Sequence, residues 1–253
     1  MLEPDGSTYV QSLARGLAVI RAFSAERPRL SLSDVAKLTD LTRASARRFL
    51  LTLESEGYVR TDGREFSLTP RVLELGFSYL SAQSLPEVAM PHLEALSRAV
   101  GESASASVLD GRDIVYVARV PTRRIMSVGI TIGTRFPAYA TAMGRVLLAF
   151  GGDAGLDTYF EGFTPERFTA RTIVSEDALR AEIARVREQG WSLIDGELEN
   201  GLRALAAPVR RGGEVVAAIN VAMTTGDDDP ARLIPPLLDA AAAITRDLDL
   251  TAG

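Results

Sequence analysis

The chain of 253 residues has no cysteine, one histidine and one tryptophan, and its 28 basic residues include a single lysine, Lys37. Without cysteine there is no disulfide framework, thiolate metal site or cysteine nucleophile. One histidine, His92, speaks against a zinc site and against imidazole acid–base catalysis; it reads as an ordinary satisfied polar residue. No apolar run approaches the ~20 residues that cross a bilayer. The segment from Met1 to Tyr9 is polar and lacks an apolar leader. A soluble cytoplasmic protein with no membrane partner is expected. No G-x-S-x-G, H-E-x-x-H or Walker pattern occurs, and Gly151, Gly152 and Gly155 show neither dinucleotide nor P-loop spacing and read as turns. Neither a metal nor a cofactor is expected.

What is present suits a packed protein of one large or two small domains: 46% apolar and 24% charged residues. The overall charge of −5 is unevenly spread, since Tyr9 to Arg71 carries 11 basic and 7 acidic residues and everything else is acidic in balance. A basic head on an acidic body suggests that only the head meets a polyanion, although chance variation in surface charge would look the same.

Within the head, Leu13, Leu17, Ile20 and Phe23 recur at helical spacing and predict one apolar face. Pro28 interrupts the chain. Ser31-Leu32-Ser33-Asp34 has the form of a capping box, so a second helix should start near Leu32 and bury Val35, Ala36 and Leu38. Thr39-Asp40-Leu41 reads as a tight turn. Thr42 should cap a third helix, Arg43 to Glu56, with Ala46, Phe49, Leu50 and Leu53 inward and Gly57 as its left-handed stop. Strands Tyr58–Arg60 and Glu65–Leu68 follow, joined through Asp62-Gly63, a strong hairpin signal. Helix, helix, turn, helix, hairpin is the order of a winged helix-turn-helix, whose third helix enters the major groove of DNA.

The side chains suit that role. Thr42, Arg43, Ala44, Ser45, Arg47 and Arg48 make the start of the third helix small, polar and cationic, with Ser33 at the start of the helix before it. Arginine can bond phosphate or pair with guanine, and small residues permit close approach. Arg60 and Arg64 flank the hairpin turn and could reach phosphates. Singly, each arginine reads as solvated surface; the architecture and the cluster together favour double-stranded DNA as partner. Thr69-Pro70 opens a linker helix with Val72, Leu73, Phe77 and Leu80 on its apolar side, and Ser81–Ser84 reads as a hinge. The expected divisions are 9–69 for the DNA-binding domain, 70–84 for linker and hinge, and 85–253 for the body.

In the body, a helix from Pro86 to Val100 precedes strands over 104–108, Ile114–Val120 and Ile125–Ile130. A loop with Gly133 and Pro137 leads to a helix capped by Thr141. A further helix carries Leu179, Ile183 and Val186, then come strands Trp191–Asp195, Ala204–Arg210 and Val215–Ala222, and a last helix from Leu233 to Leu248. This is an antiparallel sheet flanked by helices, an α+β domain. Asp195 and Glu197, two apart, would face one side of a strand; paired carboxylates can do acid–base work, but a polar pocket wall is the favoured reading. Arg119, Arg124 and Arg135 near strand ends could pair with an organic acid's carboxylate, though each is more simply surface.

The segments Ser12–Leu17, Leu32–Ala36, Arg48-Phe49-Leu50 with Gly57-Tyr58-Val59, Tyr139–Ala149 and Asp195–Arg203 resemble the isocitrate lyase regulator (IclR) family of bacterial transcription factors, over nearly the whole chain. The stretches Tyr9–Leu13 and Ala140–Leu147 are similar to the subgroup governing aromatic acid catabolism, which responds to protocatechuate, 4-hydroxybenzoate or β-ketoadipate. The resemblance implies a homodimer or homotetramer, a winged-helix head, a GAF-like effector-binding body and a small organic acid as effector. It implies an effector cleft including Met126, Ala138, Tyr139, Ala140 and Thr141, a second wall of Asp195, Glu197, Leu202 and Ala204, and Asn220 and Ala222 on the last strand. Members that bind small keto acids often have Ser or Cys where this chain has Ala204, Asn220 and Ala222, so a different or larger ligand is expected. Two other readings remain open: an enzyme with a regulatory head, resting on Asp195 and Glu197, and a winged helix that contacts protein.

Overall fold

The computed structural model describes residues 9–76, 85–122, 129–224 and 229–251. The chain divides into two compact units, Met1–Ala82 and Gln83–Gly253.

The first unit runs α1 (Gln11–Arg21), β1 (Arg29–Ser31), α2 (Leu32–Leu38), α3 (Arg43–Ser55), β2 (Val59–Thr61) and β3 (Glu65–Leu68). Its helices begin where capping chemistry dictates. The Ser31 hydroxyl accepts from the Asp34 amide while the Asp34 carboxylate accepts from the Ser31 amide, a complete capping box. Thr42 accepts from the Ser45 amide to start α3, and Gly57, at φ 79°, ends it. Asp40 takes up the turn before α3 with φ 52°. Val19, Phe23, Leu30, Val35, Ala46, Leu50 and Val59 form the core.

Three expectations fail here. Of the expected apolar face only its C-terminal part packs inward: Phe23 is buried and Ile20 half-buried, whereas Leu13 and Leu17 are 63% and 45% exposed, and Val19, not on that face, is buried instead. Leu38, at the end of α2, is also exposed. Strand β1, directly after Pro28, was not anticipated; it pairs with β3, Leu30 opposite Phe66, in a sheet of order β1-β3-β2. After β3, Thr69 caps a 3₁₀ turn over Pro70–Leu73 that continues helically to Gly76. Phe77, Leu80 and the hinge Ser81–Ser84 lie outside the described residues.

The second unit contains α4 (Leu85–Val100), β4 (Ser103–Asp110), β5 (Asp113–Val120), β6 (Arg135–Pro137), α5 (Ala142–Phe150), α6 (Asp153–Phe160), α7 (Glu176–Gln189), β7 (Ser192–Asp195), β8 (Leu202–Arg211), β9 (Glu214–Thr224) and α8 (Ile234–Leu250). The strands form one antiparallel sheet in the order β6-β5-β4-β9-β8-β7. One face packs on α5, α6 and α7 through Met143, Val146, Leu156, Phe160, Leu179 and Ile183. The other packs on α4 and α8 through Leu93, Leu96, Leu237 and Ile244. His92 of α4 bonds Asp247 of α8 at 2.7 Å. No described helix is long and apolar enough to cross a membrane.

The strand that pairs with β5 is Arg135–Pro137, within the segment expected to be a loop. Of the stretch expected to be that strand, Ile125–Ile130, only Gly129 and Ile130 are described, and they are not strand. Gly155, expected in a turn, sits inside α6. Gly144 permits a close crossing: a Cβ there would lie 2.2 Å from the Ala138 carbonyl oxygen, so only glycine lets α5 start against the turn at Ala138–Ala140.

Candidate nucleic-acid interface and effector face

In the first unit, the N-terminal turn of α3 stands clear of its core. Arg43, Ala44, Arg47 and Arg48 are exposed and Ser45 half-buried, while Ala46 and Leu50 hold the opposite side. Among the described residues none of Arg43, Arg47, Arg48 and Arg64 is paired with a carboxylate. The Thr42 hydroxyl is occupied, accepting from the Ser45 amide and donating to the Ser45 hydroxyl; these two residues shape the helix start. Ser33 is exposed at the start of α2. Ser45 and Arg48 also line a groove of about 690 Å³ between α1 and α3, with Leu13, Leu17 and Phe49.

The hairpin is braced from within. Asp62 Oδ1 accepts from the Arg64 and Glu65 amides at 3.0 and 2.9 Å, and Gly63 adopts φ 92°. These amide bonds hold the Asp62 carboxyl below its ordinary value, with the Arg29 guanidinium adding to them. Arg64 is thereby presented at the tip. Arg60 lies lower, its Nε donating to Ser67 across the sheet at 3.2 Å. Arg29, which the sequence did not single out, stands beside the hairpin but is neutralised by Asp62 and Glu65.

In the second unit, the expected effector residues separate. Asp195 ends β7 opposite Arg203, one residue out of step with Ala204, so its side chain lies on the other sheet face from Ala204 and Asn220. There Arg203 and Arg171 each approach its carboxylate to 3.1 Å. The hydrogen bond from Arg203 lowers its pKa. Glu197 is not on the strand at all, because Gly196 at φ 70° breaks the alternation. Its buried carboxylate takes both guanidinium nitrogens of Arg145, Nη1–Oε1 at 2.8 Å, and accepts from the Ile173 amide. The expectation of two carboxylates on one side therefore fails, and with it the geometry for paired acid–base work.

Tyr139 is also occupied. Its hydroxyl donates to the Glu166 carbonyl at 2.7 Å and accepts from the Glu166 amide, and its ring packs edge-on to Phe163. Thr141 spends its hydroxyl capping α5 at the Gly144 amide. Ala138 and Ala140 are buried in the turn before it. Arg135, on the edge strand, is bound by Asp110 and Asp113, which raise its pKa. Met126 and Arg124 lie outside the described residues.

The register assembles a different group. Arg119 of β5 pairs with Ser105 of β4, Ser105 with Asn220 of β9, Asn220 with Ala206 of β8, and Ala206 with Ser192 of β7. Paired residues share a face, and Ala206 places this row on the α5 side. A bulge between Ala106 and Ser107 leaves Val117 unpaired, so Tyr116 and Arg119, three apart, both face that side. Arg119 Nη1 donates to Ser105 at 3.2 Å and meets no carboxylate among the described residues. Desolvation lowers its pKa, and burial pushes the Tyr116 phenol up to about 12, so that ring stays neutral. Asn220 Oδ1 and Ser192 Oγ are buried without a hydrogen-bond partner among the described residues. Ala204, Ala206, Ala218 and Ala222 line the same face with small side chains, and Leu202 stands at its end. Ser105 and Ser192 escaped the sequence reading; alternating Ser-Ala in β4 showed a strand but not that both faces are covered.

A winged helix with unpaired cations on its leading helix, joined to a sheet domain with a polar row inside, defines a DNA-binding regulator with a ligand-sensing body. The family models agree: the IclR helix-turn-helix domain matches residues 12–63, and the bacterial transcriptional regulator IclR C-terminal model matches residues 77–246. The Pca regulon regulatory protein of Pseudomonas putida is 42% identical over 97% of this chain and 84% of its own length. The crystal structure of a transcriptional regulator from Rhodococcus sp. RHA1 is 58% identical, covers 96% of this chain and 100% of that one, and has a TM-score of 0.84. An IclR homologue from Microbacterium hydrocarbonoxydans, solved with 4-hydroxybenzoate, is 25% identical over 94% of this chain and 99% of that one, with a TM-score of 0.85. The chain belongs to the IclR family of transcriptional regulators. It is a DNA-binding regulator with an effector-binding C-terminal domain, and not an enzyme.

Proposed function

We propose that the chain controls aromatic acid catabolism from the cytoplasm, binding double-stranded operator DNA as a homodimer or homotetramer and releasing or engaging it in response to an aromatic carboxylate. The observation that carries the DNA half is the set of exposed guanidiniums of Arg43, Arg47 and Arg48 around Ala44 on α3, which meet no carboxylate among the described residues. With a small residue at the tip, the helix can sit deep in the major groove while these arginines reach base edges and phosphates. Arg64, held out by the Asp62 turn, serves a neighbouring phosphate.

The exposed Leu13 and Leu17 beside the α1–α3 groove support self-association through the head. The 4-hydroxybenzoate of the Microbacterium homologue supports an aromatic acid as effector. Arg119, which meets no carboxylate among the described residues, supplies the cation that such an acid needs. A ligand shifts the regulator only by binding its DNA-competent and incompetent arrangements unequally.

The test is selection of duplex fragments from the host's sheared genomic DNA by the full chain, followed by affinity measured against salt. Steep salt dependence is expected, with the slope of log affinity against log salt falling by ~0.9 for each arginine removed from a phosphate contact. A flat salt response would favour a winged helix that contacts protein instead.

A further inference from the structure

The turn at the wing tip sets two carboxylates beside the arginine it presents. Asp62 builds that turn with one oxygen, Oδ1, which accepts from the Arg64 and Glu65 amides. Aspartate suits a turn because its short side chain reaches the backbone two residues on. Its second oxygen, Oδ2, has no part in the turn and brings negative charge with it. Glu65 follows at the start of β3. Phe66 and Leu68 pack on the core, so by alternation Glu65 and Ser67 face outward. A tip that meets phosphates thus carries two acids within two residues of Arg64.

Arg29 answers both. It stands on β1 opposite Ser67, which pairs on its other side with Arg60 of β2. Its side chain reaches past Glu65 to the turn: Nη2 donates to Asp62 Oδ2, and Nε lies 3.4 Å from Glu65 Oε2. One guanidinium is spread over two carboxylates, a use that its planar, forked nitrogens allow and an ammonium does not. Arg29, Arg60, Asp62 and Glu65 line one groove of about 530 Å³, two charges of each sign. All three partners in the ion pairs are about half exposed, with side chains at 55% for Arg29, 48% for Asp62 and 46% for Glu65. Exposed pairs add little to folding. Their weight falls on a charged surface that the tip approaches. A duplex carries one negative charge per ~1.7 Å of its axis, and an uncompensated carboxylate beside it is repelled.

We propose that Arg29 is a positioning residue for DNA binding: without reaching the duplex, it cancels the carboxylates of Asp62 and Glu65 and ties the tip to β1, so that Arg64 meets phosphate without repulsion from its own turn. The proposal rests on the DNA reading of the winged helix and adds a residue outside its contact surface. Arg29, Asp62 and Glu65 together carry a charge of −1; losing Arg29 makes it −2, and neutralising Glu65 as well returns it to −1.

The experiment measures affinity of the full chain for one duplex fragment recovered by the genomic selection, over ~0.05–0.2 M salt. The proteins are wild type, Arg29→Met, Arg29→Met with Glu65→Gln, Arg29→Met with Glu56→Gln, and Arg47→Ala. Glu56, the C-cap of α3, lies before β2, away from the turn. Arg29→Met should melt near the wild-type temperature yet bind at least about fivefold more weakly at ~0.1 M salt, where charges interact over ~10 Å. Its slope of log affinity against log salt should match wild type, because one lost phosphate contact would lower it by ~0.9. Glu65→Gln should restore affinity to within about twofold, and Glu56→Gln should not. This rescue keeps the test sound even where Arg29→Met lowers the melting temperature, since deleting a second partner does not rebuild a lost structural contact. Unchanged affinity in Arg29→Met would overturn the proposal. So would a slope reduced by ~0.9, which makes Arg29 itself a phosphate contact, or equal rescue by Glu56→Gln, which leaves only net charge. If Arg47→Ala weakens binding and Arg29→Met does not, the role of Arg29 falls alone. If neither does, the winged helix is not what holds the duplex, and both readings fall.

Discussion

Arg145, on α5, and Glu197, in the turn after β7, form a two-pronged ion pair with both side chains almost wholly withdrawn from water. Arg145 Nε also donates to the Tyr139 carbonyl at 3.0 Å, so one guanidinium ties together α5, the turn before it and the loop 196–201. A residue expected to touch effector instead fixes the frame around it.

Removing Glu197 leaves the buried Arg145 guanidinium, among the described residues, with only the more distant Glu182 carboxylate, 3.9 Å away, as an ionic partner. Glu197→Ala should cost about 3–5 kcal/mol of stability in the second unit, and an Arg145→Met, Glu197→Leu double variant should recover much of it. Urea unfolding followed by the fluorescence of Trp191, the one tryptophan, reads that unit directly.

Gly144→Ala pits two effects against each other. Alanine in a helix interior is worth up to about 1 kcal/mol over glycine. The new Cβ, however, would fall 2.2 Å from a backbone oxygen that cannot swing away. Overpacking typically costs about 1–3 kcal/mol and here involves backbone, so net destabilisation is expected in the same urea experiment. A more stable variant would mean that α5 and the Ala138 turn separate at little cost.

Acid should loosen the second unit partly through Asp195. Arg203, first, and then Arg171 lower its folded-state pKa below the unfolded value near 3.9. A depressed carboxylate contributes stability that is present above the unfolded pKa and is lost as pH falls through the folded one. Stability measured from about pH 5 down to pH 2 should fall less steeply in Asp195→Asn than in wild type, with the curves converging at the acid end.

Leu13 and Leu17 contribute little to their own unit's core. Leu13→Glu with Leu17→Glu should therefore leave thermal stability of an isolated protomer near wild type, while sedimentation velocity shows a smaller particle and operator affinity drops. An unchanged sedimentation coefficient would place self-association elsewhere.

Much of the head could be read from its residues because its signals are local. The Ser31–Asp34 box, the Thr42 cap and the Gly57 stop each act within four residues, and each boundary fell within a residue or so of expectation. Strand β1 could not be read that way: three residues long, it exists only because β3, more than thirty residues on, pairs with it. Periodicity marked one apolar face on α1 but not that its first two leucines would stay outside the core. In the body the alternation rule put Asp195 and Glu197 on one side, but β7 ends at Asp195 and Gly196 breaks the alternation; the bulge at Val117 likewise turns Tyr116 and Arg119, three apart, to one face. The polar row needed register across five strands, which no single segment contains.

The central claim is that the leading turn of α3 enters a duplex groove, and Ala44→Glu tests it most directly. Ala44 is exposed and makes no core contact, so the change should leave the melting temperature unaltered. Within a groove, the added carboxylate would face phosphates at close range. The account predicts that, at matched salt, operator affinity falls at least about tenfold, ~1.4 kcal/mol. An Ala44→Glu protein that is folded and binds operator as tightly as wild type would contradict it.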